Sequence, residues 1–300
     1  MNKSTLYGEE YSYLIPLLLC NSEEGYVHSR FSNGFNIQMG NSLIFIGNKK
    51  NGLLPFGIHL REEDTSFAVS SIMNNEFVKW NESKNSIEFS NVSITLEKGK
   101  PFNNELIPMK SRQTFERSFH QFTSLLMNVN VKTGLDISIN KFLKKFENVG
   151  NHEWDEVETF IIKLIEAAIS NDEMLMDKVL KYFLGRGQGL TPSGDDTIVG
   201  FLAFDAISHF LSEKFYDKIS KKIEGESITT DVAREYLRYA LRREYSSTVT
   251  NVVNSIASGN KELEMHFKKL LGVGHSSGLD TLLGILIGML TFEKMNNTEY

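Results

Sequence analysis

One cysteine, five prolines and two tryptophans in 300 residues leave little from which to build a stapled or fibrous protein. A lone Cys20 excludes an internal disulfide and any multi-cysteine metal site, and so low a count suits a reducing, cytoplasmic setting. Positive charge is also short. The 32 Lys and Arg against 38 Asp and Glu give a net charge of −6, which argues against a nucleic-acid surface, because clustered basic residues hold phosphate backbones. The apolar run from Leu279 to Leu290 falls short of the roughly 20 residues a membrane span needs, and reads as a buried helix. The run from Leu14 to Cys20 could suggest the apolar core of a secretion signal, but it follows Glu9 and Glu10 and precedes no small-residue cleavage site, so secretion is not expected.

What is present suffices for a substantial core. A composition 41% hydrophobic and 23% charged supports one large or two ordinary domains, and two are expected. From about Tyr26 to Leu96 the chain runs in short β-rich pieces, "GYVHSRF", "FNIQM", "SLIFIG", "SFAVS", "FVKW" and "SITLE". Turn signals at Asn33-Gly34, Gly40-Asn41 and Asn51-Gly52 separate them and predict a small antiparallel sheet or barrel, with "NKKNG" as an exposed hairpin tip. After Pro108 the apolar spacing changes to three and four, which predicts an all-helical remainder. The fold class is therefore α+β, with a β-rich domain over 1–108 and a helical domain over 109–300.

The helical part repeats itself. "SGDDTIVG" (193–200) and "SGLDTLLG" (277–284) give S-G-x-D-T-x-x-G twice at an offset of 84 residues. Gly187 and Gly189 precede the first copy, Gly272 and Gly274 the second, and each copy opens an apolar helix. Ser193 with Asp196, and Ser277 with Asp280, have capping-box spacing with Asp in place of Glu, and acidic first turns suit the helix dipole. Capping does not account for Gly194 and Gly278 after the serines, where glycine weakens a helix, nor for the glycines before them. Two glycine-rich helix N-termini offer free N–H groups to an anion such as phosphate or carboxylate. Asp195, Asp196 and Asp280 oppose a bare anion. Either a divalent cation such as magnesium stands between carboxylates and ligand, or the ligand brings N–H donors, as a carbamoyl or amide group does.

Other motifs fail. "GRGQGLTPSG" lacks the Walker lysine and the third glycine of a dinucleotide fingerprint. "GHSSG" around Ser276 satisfies G-x-S-x-G literally, but a helical pattern precedes it where a nucleophile elbow needs a strand. No clustered histidines suggest zinc. Arg234, Arg238 and Arg242 lie four apart on one helix face, and Arg234, Arg30 and Arg186 are candidates to reach an anion. His275 is a candidate proton carrier beside the second helix terminus.

"GQGLTPSGDDTIVGFL" and "GVGHSSGLDTLLGIL", with "YLRYA" between them and "VHSRFSNGFNIQ" earlier, resemble a bacterial family that includes the AllH-type subunit of the heteromeric oxamate carbamoyltransferase of allantoin breakdown. The resemblance is strongest from Gly185 to Leu290. It implies a subunit that works with other protein subunits, transferring a carbamoyl group between carbamoyl phosphate and oxamate, with oxalurate and phosphate on the other side. It brings no residue roles with it. On the loop argument Asp196, Asp280 and His275 are the catalytic candidates. Gly187, Gly189, Thr191, Ser193, Gly194, Asp195, Ser276, Ser277 and Gly278 are candidates to bind the small anionic substrate. The alternative is a non-catalytic subunit that senses an anion or nucleotide and regulates a partner, and a third reading is a structural subunit whose loops only cap helices.

Overall fold

The computed structural model describes residues 3–147 and 153–297. The chain divides between Asn104 and Glu105 into two compact units.

The first unit is one ten-stranded sheet. Its strands are β1 (Ser4–Tyr7), β2 (Glu10–Ser12), β3 (Glu24–Phe31), β4 (Gly34–Met39), β5 (Ser42–Gly47), β6 (Gly57–His59), β7 (Phe77–Asn81), β8 (Ser86–Glu88), β9 (Val92–Thr95) and β10 (Lys100–Phe102). They lie in the order β1-β9-β8-β7-β3-β4-β5-β6-β2-β10. Two α-helices, α1 (Ile15–Cys20) and α2 (Glu62–Ser71), and one 3-10 turn, Glu82–Lys84, accompany them. The Asn33-Gly34 and Gly40-Asn41 signals mark the tight turns that pair β3 with β4 and β4 with β5, both antiparallel. Val27, Phe35, Ile37, Ile44, Ile46, Ile58, Val78, Ile87 and Ile94 are buried along the sheet.

Three expectations change here. The sheet is mixed, because β1 with β9, β2 with β10 and β5 with β6 are parallel. "NKKNG" is accordingly a turn in a crossover and not a hairpin tip: the chain leaves β5, passes through it and returns as β6 in the same direction. "SFAVS" is helical, inside α2. Glu62, Glu63 and Asp64 form an acidic first turn favoured by the helix dipole, and Thr65 and Ala68, three apart, are its buried residues.

The second unit is helical. It contains α3 (Arg112–Met127), α4 (Ile139–Glu147), α5 (Glu156–Ser170), α6 (Glu173–Phe183), α7 (Ser193–Ser208), α8 (Glu213–Gly225), α9 (Asp231–Leu241), α10 (Ser247–Ser258), α11 (Leu263–Leu271) and α12 (Ser277–Asn297). Amphipathic helices surround two that are apolar on all sides. In α7 the residues from Ile198 to Ala206 are all buried, and in α12 those from Gly278 to Thr291 are. A helix hydrophobic all round belongs at the centre of a bundle, and these two are the helices that the repeated motif opens.

Candidate functional site

α7 and α12 start together and run side by side in the same sense. Ser193 lies against Asp280 at their beginnings, and Phe204 meets Gly288 further along. Between these points the contact is reciprocal. A Cβ on Gly200 would stand 2.0 Å from the Thr281 carbonyl oxygen, and one on Gly284 would stand 2.0 Å from the Thr197 carbonyl oxygen. The residues exchanged are equivalent in the two repeats, which is what a local two-fold arrangement requires. The repeat is thus a structural duplication as well as a textual one.

The same duplication explains the glycine after each serine. A Cβ on Gly194 would stand 1.9 Å from the carbonyl oxygen of Phe183, the last residue of α6; on Gly278 it would stand 1.8 Å from that of Leu270 in α11. Each repeat is therefore a helix, a tight loop and a second helix whose first turn presses on the end of the first. The loop carbonyls also take the first-turn donors. The Gly194 N–H donates to Arg186 at 2.8 Å, and the Gly278 N–H to Val273 at 3.0 Å. These two N–H groups, expected to be free for an anion, are occupied.

The expected capping boxes do not form. The residue before α7 is Pro192, which offers no side-chain cap, and Ser193 is already the first helical residue. The motif side chains instead reach across to the other repeat. The hydroxyls of Ser277 and Thr191 favour the charged form of Asp196, and those of Ser193 and Ser276 favour that of Asp280. Thr191 Oγ1 and Ser277 Oγ are 3.1 Å apart and share a hydrogen bond. Burial outweighs these hydroxyls and pushes both carboxyl groups above the usual carboxylate range; for Asp196, repulsion from Asp280 adds to it. Asp280 is fully buried, and the Gly134 N–H donates to its Oδ1 at 2.9 Å. Yet Oδ2 of Asp196 and Oδ2 of Asp280 are both buried without a hydrogen-bond partner.

Gly134 has no place in the repeats, and the sequence reading missed it. A Cβ there would stand 1.9 Å from Ser193 Oγ, 2.7 Å from Ser276 Oγ and 3.0 Å from Asp280 Oδ2. Its segment is pinned by buried Thr133, Leu135 and Ile137, so an exposed backbone lies directly on the aspartate. One glycine in "VKTGLDIS" signals at most a turn. Tyr236 of α9 was missed likewise: Asp196 is close enough to raise its hydroxyl pKa, after burial, which is the larger cause.

The structure thus brings together Asp196, Asp280, Thr191, Ser193, Ser276 and Ser277. Gly194 and Gly278 support them from behind. Gly187 and Gly274, both with positive φ, pass beside the serine of their own repeat, whereas Gly189 is exposed with open space around it. His275 is exposed in the turn before α12. Arg234 does not approach the loops, since it donates to the Ile223 carbonyl and to Asp231. Arg186 pairs with Glu156 and lies over the Tyr182 ring, and Arg238 is held by Glu224 and Glu235.

Asp195 stands apart from the pair's contacts. Its carboxylate accepts the Gly185 N–H at 3.1 Å and the Thr229 hydroxyl at 2.7 Å, tying the start of the loop to the segment before α9. Burial raises its pKa to about 6 against those two hydrogen bonds. The folded protein therefore holds this proton more tightly than the unfolded chain, and the associated stability is lost as pH rises from about 4 to about 6. Asp195→Asn, which cannot ionise, should gain on the wild type by about 2 to 3 kcal/mol between pH 4 and pH 7.5 in denaturant melts. A variant-to-wild-type gap that does not change with pH would show that Asp195 carries no such shift.

The fold and the site define a class: an α+β protein with a sheet unit, a helical unit and a polar centre at two duplicated helix N-termini. The chain belongs to the AllH family. The model described as oxamate carbamoyltransferase subunit AllH matches residues 183–289, which include both repeats, and the AllH family N-terminal domain matches residues 6–101. Gly134 lies in the stretch between the two matches. No solved structure matches the chain. Among the described residues no helix is long and apolar enough to cross a membrane.

Proposed function

We propose that the chain is a working subunit of a heteromeric cytoplasmic oxamate carbamoyltransferase, and that the joined ends of α7 and α12 hold its small anionic substrate. The reaction is oxalurate + phosphate ⇌ oxamate + carbamoyl phosphate. A phosphate oxygen attacks the ureido carbonyl carbon, the bond from that carbon to the oxamate nitrogen breaks, and the nitrogen takes up a proton. One observation carries the reading. Two distant segments of chain deliver two carboxylates and four hydroxyls to one point and leave a buried oxygen of each carboxylate unpartnered. Burying such oxygens costs stability, and a site that tolerates the cost is one that a ligand completes.

In this reading Asp196 and Asp280 anchor the substrate, the hydroxyls of Thr191, Ser193, Ser276 and Ser277 orient it, and exposed His275 delivers the proton to the departing nitrogen. Partner subunits, which the family's description as a subunit implies, supply the rest of the enclosure. The test is phosphorolysis of oxalurate by the chain assembled with its partners, read as carbamoyl phosphate formed. Asp196→Asn and Asp280→Asn should each lower kcat/KM by about 100-fold or more. Assemblies in which both variants retain full rates would remove the aspartates from the reaction. Ligand binding to the chain with no turnover in any assembly would make it a sensor subunit.

A further inference from the structure

We propose that Asp196 and Asp280 together bind one divalent metal ion of the magnesium class, set between the two carboxylates at the joined ends of α7 and α12. The inference rests on the reading that this point is the chain's functional site, and does not depend on which group is transferred there.

The argument begins with what remains unsatisfied. Among the described residues, the other buried side-chain polar atoms without a partner are neutral: the Trp80 indole nitrogen and the hydroxyls of Tyr182, Ser212 and Thr250. Only at the paired helix ends are the orphaned atoms carboxylate oxygens. There are two of them, one from each repeat. Asp280 is fully buried, its other oxygen is already taken by the Gly134 N–H, and no ion pair reaches either carboxylate among the described residues. Helix N-termini supply partial positive charge, but not enough to offset two carboxylates of which one is fully buried and the other has a buried oxygen.

Three kinds of occupant address this arrangement differently. A bare phosphate adds negative charge to two carboxylates, so it does not bind here alone. An amide or carbamoyl NH2 satisfies hydrogen bonding but is neutral, and brings no counter-charge to the carboxylates. A proton shared between the carboxyl groups cancels one charge and leaves the other without a counter-charge. A divalent cation satisfies both oxygens and cancels both charges. It also turns a site that repels phosphate into one that holds it, because ligand oxygens complete the coordination.

The donors select the type of metal. Thr191, Ser193, Ser276 and Ser277 surround the carboxylates with hydroxyl oxygens. No three His, Cys, Asp or Glu residues converge on a point among the described residues, so this is no closed zinc-like cage. Two carboxylates with oxygen neighbours, leaving other positions to water or substrate phosphate, is how magnesium is usually held.

The test uses the full chain and Mn2+ as the probe, because Mn2+ occupies magnesium sites and its spin resonance signal falls when it binds. Titration should show one site per chain from which Mg2+ displaces it. Asp196→Asn and Asp280→Asn should each weaken Mn2+ binding at least tenfold, with circular dichroism and thermal melts confirming that they fold. Glu264→Gln, which removes an exposed carboxylate on α11, should leave binding unchanged. No Mn2+ bound at millimolar concentration, or equal binding in both Asn variants, would overturn the proposal. Adding carbamoyl phosphate separates it from the functional reading. Carbamoyl phosphate that binds the wild type equally with and without Mn2+ speaks against the cation and for the carbamoyl reading, whereas Mn2+ held at the pair with no response to carbamoyl phosphate does the reverse.

Discussion

Gly284→Ala should destabilise the helical unit by about 3 kcal/mol or more, one of the largest effects available to the addition of a single methyl group. The new Cβ would stand 2.0 Å from the Thr197 carbonyl oxygen, 2.8 Å from the Phe201 nitrogen and 2.9 Å from the Thr197 carbonyl carbon. All three are backbone atoms of α7, so no rotamer change relieves the clash. The two central helices must separate, and their separation opens every contact along a buried interface. Gly225→Ala is the control, since nothing lies within 4 Å of its Cβ and alanine suits the end of α8 better than glycine does. Guanidinium melts should show a large fall in midpoint for the first variant and a neutral or slightly raised midpoint for the second. Equal midpoints would mean that the two helices do not cross at these glycines.

The second large effect is in the sheet unit and depends on pH. His59 is fully buried on β6, where Nε2 accepts the Leu54 N–H at 3.0 Å and Nδ1–H donates to the Asn48 carbonyl at 3.3 Å. Desolvation brings its pKa down to about 4 from the usual histidine value of 6.5. The folded state therefore keeps the ring neutral where the unfolded chain would protonate it. Stability from this group is complete above about pH 6.5 and is lost as pH falls through 4, a change of about 3 kcal/mol. Trp80 lies in the sheet unit and Trp154 in the helical one, so a Trp154→Phe background lets Trp80 fluorescence follow the sheet unit alone. In that background urea melts should lose most of this stability between pH 7 and pH 4, and His59→Gln should flatten the loss although it starts less stable. Parallel pH profiles for the two proteins would assign the dependence to other groups.

How far the sequence could be read depended on whether a signal was local. The Asn33-Gly34 and Gly40-Asn41 turns specify tight reversals by backbone conformation, and both pair their flanking strands as expected. Asn51-Gly52 is the same kind of signal, yet the strand after it returns in parallel, because a turn residue does not say which strand comes next to which. "SFAVS" has strand composition, but three acidic residues just before it decide for helix. In the site, Ser193, Asp196, Ser277 and Asp280 were all legible as a repeated motif. Their roles were not. At a spacing of three the pairs Ser193/Asp196 and Ser277/Asp280 look like self-contained caps, and only the side-by-side packing of α7 and α12 turns each aspartate toward the other repeat's serine.

The sequence by itself determined the α+β order, the helical periodicity after Pro108, the duplicated loop and the family, since propensity, period and motif are properties of neighbouring residues. The tertiary structure alone decided that the two loops meet and that Gly194 and Gly278 are spaces for the ends of other helices. It also decided that Asp195 ties down a loop while Asp196, one residue on, joins Asp280, and that Gly134 lies against Asp280. Each of these is a contact between segments far apart in the chain. Contacts of that kind are set by which surfaces pack together, and packing then decides which two of three similar aspartates keep a buried oxygen without a hydrogen-bond partner.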